Sequence, residues 1–169
     1  STRRQKVTIS NTAAVAASSG ARTVPVAGHV QGVDGRMFLT DVQIENPGDE
    51  TASTQLSFQP SHGAAPRPIA MDLGPRETRN VSDAVLGLFG LSDSLGALRL
   101  DWTGSTSALR MTSRTYTRND EGTLGQAAAA FADSEDPRSP RFVTGLARNE
   151  LFRTNVGAVN DSAEFESFQ

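Results

Sequence analysis

Apolar and polar positions alternate along this chain in short runs, and turn residues separate the runs. In MFLTDVQIEN (37–46), Phe38, Thr40, Val42 and Ile44 share one side while Asp41, Gln43 and Glu45 share the other. This is the period of two of a half-buried strand. NPGDE then interrupts it, with Asn46 and Pro47 starting a turn and Gly48 free to take positive φ. TASTQLSFQP (51–60) resumes with Ala52, Thr54, Leu56 and Phe58 inward, and Pro60 ends it by removing a ladder donor. The two runs are expected to form a hairpin. Further strands are expected at 23–30, 68–73, 97–102, 107–117 and 124–131.

Many short strands with turn signals between them point to an all-β fold, an antiparallel β-sandwich. Its expected core is Phe38, Val42, Ile44, Leu56, Phe58, Leu98, Leu100, Trp102, Leu109 and Met111, facing inward from two packed sheets. One stretch departs from the strand rhythm. In SDAVLGLFG (82–90), Ser82 is placed to cap a short helix with Val85, Leu88 and Phe89 on one side and Gly90 as terminator. The alanines at 127–130 permit helix by propensity, but neighbouring Gly125 and the short length favour a strand or irregular segment.

The strand at 37–46 has an echo. LFRTNVGAVN (151–160) aligns Phe152, Thr154, Val156, Ala158 and Asn160 with Phe38, Thr40, Val42, Ile44 and Asn46. Residues 149–169 read as a partial second repeat, too short to bury a core of its own. They are expected to close the sandwich begun by the first copy, giving a single domain over 23–169. Residues 1–22, with one strand at 6–10 and a small-residue tract, are expected to be a linker or an added edge strand. PSHGAAPRP (60–68) and DSEDPRSPR (133–141) read as exposed loops.

Composition narrows the class. The 169 residues are 37% hydrophobic, and no apolar run approaches the roughly 20 residues that cross a bilayer as a helix. Net charge is −3 and the 16 basic residues are scattered, which argues against a nucleic-acid partner. Cysteine is absent, excluding disulfides, thiolate metal sites and cysteine nucleophiles. A single lysine among the basic residues, with abundant Ala and Gly, fits a GC-rich bacterial source. STRRQ is not followed by an apolar h-region, as expected where an export signal has been removed or the chain is part of a longer one.

The succession VPVAGHVQGVDGRMFLTDVQIENPG, LGPRETRNVSDAVLGLFG, GALRL, SRTYT, GTLGQ and LFRTNVGAVN resembles a bacterial extracytoplasmic Ig-like β-sandwich repeat of secreted and cell-surface proteins. The resemblance spans about residues 23–162. It implies export, tandem arrangement and a structural or adhesive role, and it brings no catalytic residues to carry over.

Candidate chemistry was sought alongside. His29 and His62, with Ser61, Ser82, Ser113, Asp34 and Asp41, are nominal triad members, but no GxSxG elbow gives them context. Asp41 and Glu45 are a nominal carboxylate pair, for which an exposed sheet face is the simpler reading. Two histidines without HxH or HExxH spacing give no zinc signature. Calcium needs several oxygen ligands on a wrapping loop, so Asp133, Glu135 and Asp136 in DSED are the candidate metal site, with Asp34, Asp41 and Asp49 a second possible convergence. No other cofactor is expected. Arg67, Arg76 and Arg79 around one hairpin are a nominal contact for an anionic glycan, for which scattered surface arginine is the simpler reading, and Trp102 reads as core rather than as a sugar-stacking platform. The functional expectation is a non-catalytic structural or adhesive module, extracellular or at the cell surface, whose partners are neighbouring modules or surface proteins. The alternative is a carbohydrate-binding module; an enzyme is not expected, an unrecognised hydrolase built on a pair such as Asp41 and Glu45 being the last of the three readings.

Overall fold

A computed structural model describes residues 18–32, 35–120, 122–132 and 159. Along them run β1 (Ser18–Gln31), β2 (Met37–Glu45), β3 (Ala52–Pro60), β4 (Ile69–Leu73), β5 (Thr78–Val81), α1 (Ala84–Phe89), β6 (Ser94–Ser105), β7 (Arg110–Asn119), β8 (Gly122–Ala129) and β9 (Phe131–Ala132). The fold is all-β, and each strand pairing is antiparallel. The strands form one open sheet in the order β4-β3-β6-β1-β2-β7-β8, with β5 added to β2 and β9 to β1. The hydrogen-bonded ladder therefore does not divide into the two separate sheets expected from the alternation.

β1 is what joins the two halves. Residues 18–29 pair with β6, whereas His29, Val30 and Gln31 pair with Leu39, Phe38 and Met37 of β2. The strand changes course at a register shift between Val24 and Ala27. Pro25 sits there, where a bulge leaves a residue outside the ladder and the missing N–H is least costly. A second shift, opposite Ser18 and Gly20, falls at Gly104 of β6, whose φ of 87° favours glycine.

Both halves serve one core. Leu56, Phe58, Leu98 and Leu100 from β3 and β6 cluster with Val42, Ile44 and Met111 from β2 and β7, together with Leu73, Val85, Trp102 and Leu109. Nine of the ten expected core residues are buried, and Phe38 is half-buried. Phe58 also meets Phe89 of α1 at 5.7 Å between ring centroids, so the helix packs on the core as its apolar side required.

Four expectations are corrected. β2 and β3 are not a hairpin: β2 pairs with β1, β5 and β7, and β3 with β4 and β6. The reason lies in Asn46, which is fully buried. Its Nδ2 donates to the carbonyls of Glu50, Leu73 and Gly74, its Oδ1 accepts from Gly48 N and Ser105 Oγ, and its own N–H donates to Glu77 O. The turn is thus tied to two other loops and carries the chain from one half to the other. Secondly, Ser82 does not cap α1. The N-cap is Asp83, which makes no side-chain cap hydrogen bond, while Gly90 ends the helix at φ 67° as expected. Thirdly, the strand expected at 23–30 begins earlier, at Ser18, within the residues read as a linker or an added edge strand. Fourthly, β5 was not foreseen. The readings of residues 6–10, of DSED and of the repeat at 149–169 fall outside the described residues apart from Val159.

Candidate functional site

Two polar assemblies stand out, one at the junction of the halves and one across the first half. The junction assembly starts at His29, near the end of β1. Its Nδ1 lies 2.8 Å from Asp83 Oδ2. Asp83 holds a left-handed conformation, φ 45° and ψ 59°, which costs energy for a residue with a Cβ. That conformation turns its carboxylate toward β1 instead of toward the helix N-terminus. Its N–H donates to Asp41 Oδ1 at 2.9 Å, and Tyr116 Oη donates to the same oxygen at 3.3 Å. Arg118 donates to Tyr116 Oη, and the guanidinium groups of Arg114 and Arg118 lie 4.9 and 5.3 Å from the Tyr116 ring centroid. Asp83 Oδ1 is buried without a hydrogen-bond partner among the described residues.

A His–Asp pair orients an imidazole as a base when a nucleophile meets its other nitrogen. The hydrogen bond of His29 is to Asp83, not to Ser61, Ser82 or Ser113. Ser113 Oγ faces Ala128 O instead, and Ser61 and His62 are exposed on the loop that follows β3. What the assembly does is clamp β1, α1, β2 and β7 together. Asp83 and Tyr116 were missed in the sequence because 54 residues separate His29 from Asp83 and no local spacing announces the pair.

The second assembly is an open groove of about 1030 Å³ across β4, β3, β6 and β1. Cross-strand register puts Asp72, Ser53, Gln55, Asp101, Arg99 and Thr103 on one face. Arg99 Nε donates to Asp101 at 3.0 Å, and Ser53 Oγ donates to Asp72 at 2.9 Å. Trp102 also borders the groove but is only 4% exposed, with the Arg22 guanidinium 5.5 Å from its ring centroid. It is a core residue, as read from the sequence, and offers no open stacking platform.

The other candidates are dispersed. Asp133, Glu135, Asp136 and Asp34 lie outside the described residues. Asp49 pairs with Arg76 at 2.8 Å, while Asp41 serves Asp83 and Tyr116, so these two do not converge. Among the described residues no cluster of three or more His, Asp or Glu is placed to hold a metal ion. Glu45 pairs with Arg110 at 3.2 Å, and four residues of strand put it roughly 13 Å from Asp41, beyond the about 5–9.5 Å of glycosidase carboxylate pairs. Arg79 is engaged by Glu77 and by Asp72 O, while Arg67 and Arg76 are both exposed and Arg76 pairs with Asp49. Glu77 in turn accepts from Gly74 N–H and then from Arg79, and these hold its carboxyl below the usual glutamate range.

No family model and no curated protein matches this chain. Among solved structures, the crystal structure of Thermotoga maritima 1070 is similar at 13% identity and a TM-score of 0.52, over 66% of this chain and 92% of that one. At that identity the likeness concerns the fold alone.

Proposed function

We propose that this chain is a non-catalytic structural or adhesive module, repeated in tandem in an exported bacterial surface protein. The observation that carries the reading is which positions the repeat keeps. Thr40, Val42, Ile44 and Asn46 are buried. Thr40 Oγ1 accepts from Gly28 N and bonds Thr115 Oγ1, and Asn46 ties three loops. The second copy keeps three of these as Thr154, Val156 and Asn160 and has the smaller apolar Ala158 for Ile44, but replaces the alternate positions Leu39, Asp41, Gln43 and Glu45 with Arg153, Asn155, Gly157 and Val159. Selection that keeps interior positions and frees the surface preserves a scaffold rather than a site.

On this reading the second copy belongs to a neighbouring module rather than to the strands that close the first sandwich. Deleting residues 149–169 tests this against closure of the first sandwich. A soluble product with unchanged cooperative melting supports tandem modules, and an aggregated or unfolded one supports closure. A second reading, a carbohydrate-binding module, is favoured by the polar groove over β4, β3, β6 and β1. Binding on a glycan array that disappears with Asp101→Ala would establish it over the first.

A further inference from the structure

Among the described residues the sheet ends in two unlike edges, and β8 is the open one. Its eight residues are all exposed, and none is charged or proline. It pairs with β7, and no described strand lies on its other side. In an antiparallel strand alternate amide and carbonyl pairs point to each neighbour, so half of the backbone groups of β8 face outward. Such an edge is a template for another strand, and proteins commonly block it with charge, proline or a bulge. β8 has no such charge or proline.

We propose that β8 pairs with β8 of a second copy of this chain, antiparallel about a two-fold axis through Gln126. Charge selects this occupant. Pairing of like edges sets each side chain against its own kind, which an edge bearing charge would resist. β8 meets that condition over its full length, and the nearby arginines of β7 are engaged within the chain, Arg110 by Glu45, Arg114 by Thr123 and Arg118 by Tyr116. A head-to-tail contact with β4 would use only five residues and meet Asp72, whereas the symmetric contact uses the whole strand and closes.

The faces also agree. Register with β7 puts Leu124, Gln126 and Ala128 on the side of Thr117, Thr115 and Ser113. An axis through Gln126 and perpendicular to the sheet sets Leu124 opposite the partner's Ala128. Leu124, 59% exposed in the single chain, thereby gains a small apolar neighbour. Ala127, Ala128 and Ala129 leave room for that approach.

Sedimentation of the full chain from about 1 to about 100 µM should show a concentration-dependent dimer. Gln126→Lys should return it to a monomer with an unchanged circular-dichroism spectrum. The chain has no cysteine, so Gln126→Cys carries the sole thiol. On mild oxidation it should form a disulfide-linked dimer much faster than Ala70→Cys, placed on the β4 edge. Three results would each overturn the proposal: a monomeric wild type at about 100 µM, a dimer indifferent to Gln126→Lys, or equal cross-linking rates for the two cysteine variants. A wild-type monomer would also result if a later segment of the same chain fills the edge.

Discussion

β4 and β8 both end the sheet, yet they are held in different ways. β4 sinks Leu73 completely into the core and packs Met71 against it. Its backbone is also gripped from several sides: Thr54 Oγ1 donates to Met71 O, Arg79 to Asp72 O and Asn46 to Leu73 O. β8 has every residue exposed and is attached through its ladder to β7. Just beyond it, Ala130 N–H donates to Met111 O. β4 is fixed by buried side chains, whereas β8 is held by its ladder and by hydrogen bonds from the Ser113 and Arg114 side chains, so they should respond oppositely to truncation and to added charge.

The largest effect should come next to β4. Phe58 on β3 is 1% exposed, and Phe58→Ala should cost about 3–5 kcal/mol in chemical denaturation, from lost transfer energy and the cavity left behind. An unchanged stability would remove the claim that this end is anchored in the core. Asn46→Ala should follow, at about 1–3 kcal/mol for each buried group left without a partner, and it should free the amide hydrogens around residues 73–77 to exchange. Protection that fell instead along β8 would reverse the assignment.

A smaller effect should appear with acid. Because the folded pKa of Glu77 is lowered by Gly74 N–H and Arg79, its contribution is complete above the ordinary glutamate value and is lost as pH falls through the folded one. The melting-temperature gap between wild type and Glu77→Gln should therefore be constant near neutrality and close in acid. A gap that widened in acid would contradict the sign. Least of all, Leu124→Ala on β8 should change monomer stability by no more than about 0.5 kcal/mol. A core-like cost would show that β8 is anchored after all.

The same contrast shows what could be read in advance. Strands β2, β3, β6 and β7 were legible because each alternates toward a core on one side, and their inward residues are the buried ones. β5 was not, because Thr78–Val81 has no fully buried residue to mark a face. The turn at Asn46 was visible locally, since Gly48 N–H donates to the Asn46 side chain two residues back, but its carbonyl partners at Leu73 and Gly74 lie far along the chain. Without them the turn looks like a hairpin. The His29–Asp83 pair was hidden for the same reason, whereas the burial of Trp102 followed from its place in step with Leu98 and Leu100.

The course of β1 also has a kinetic consequence. It is the earliest described strand along the chain and sits inside the sheet, yet its main partner is β6, with Val24 opposite Leu98 and Gly20 opposite Trp102. Its longest ladder therefore waits for a loop of more than sixty residues to close, since His29 pairs with Ser94. Chains dominated by such distant pairings fold on the order of milliseconds to seconds. During synthesis β2 emerges before β6 exists, so through that interval β1 has only its short ladder to β2, through His29, Val30 and Gln31, to hold it in place.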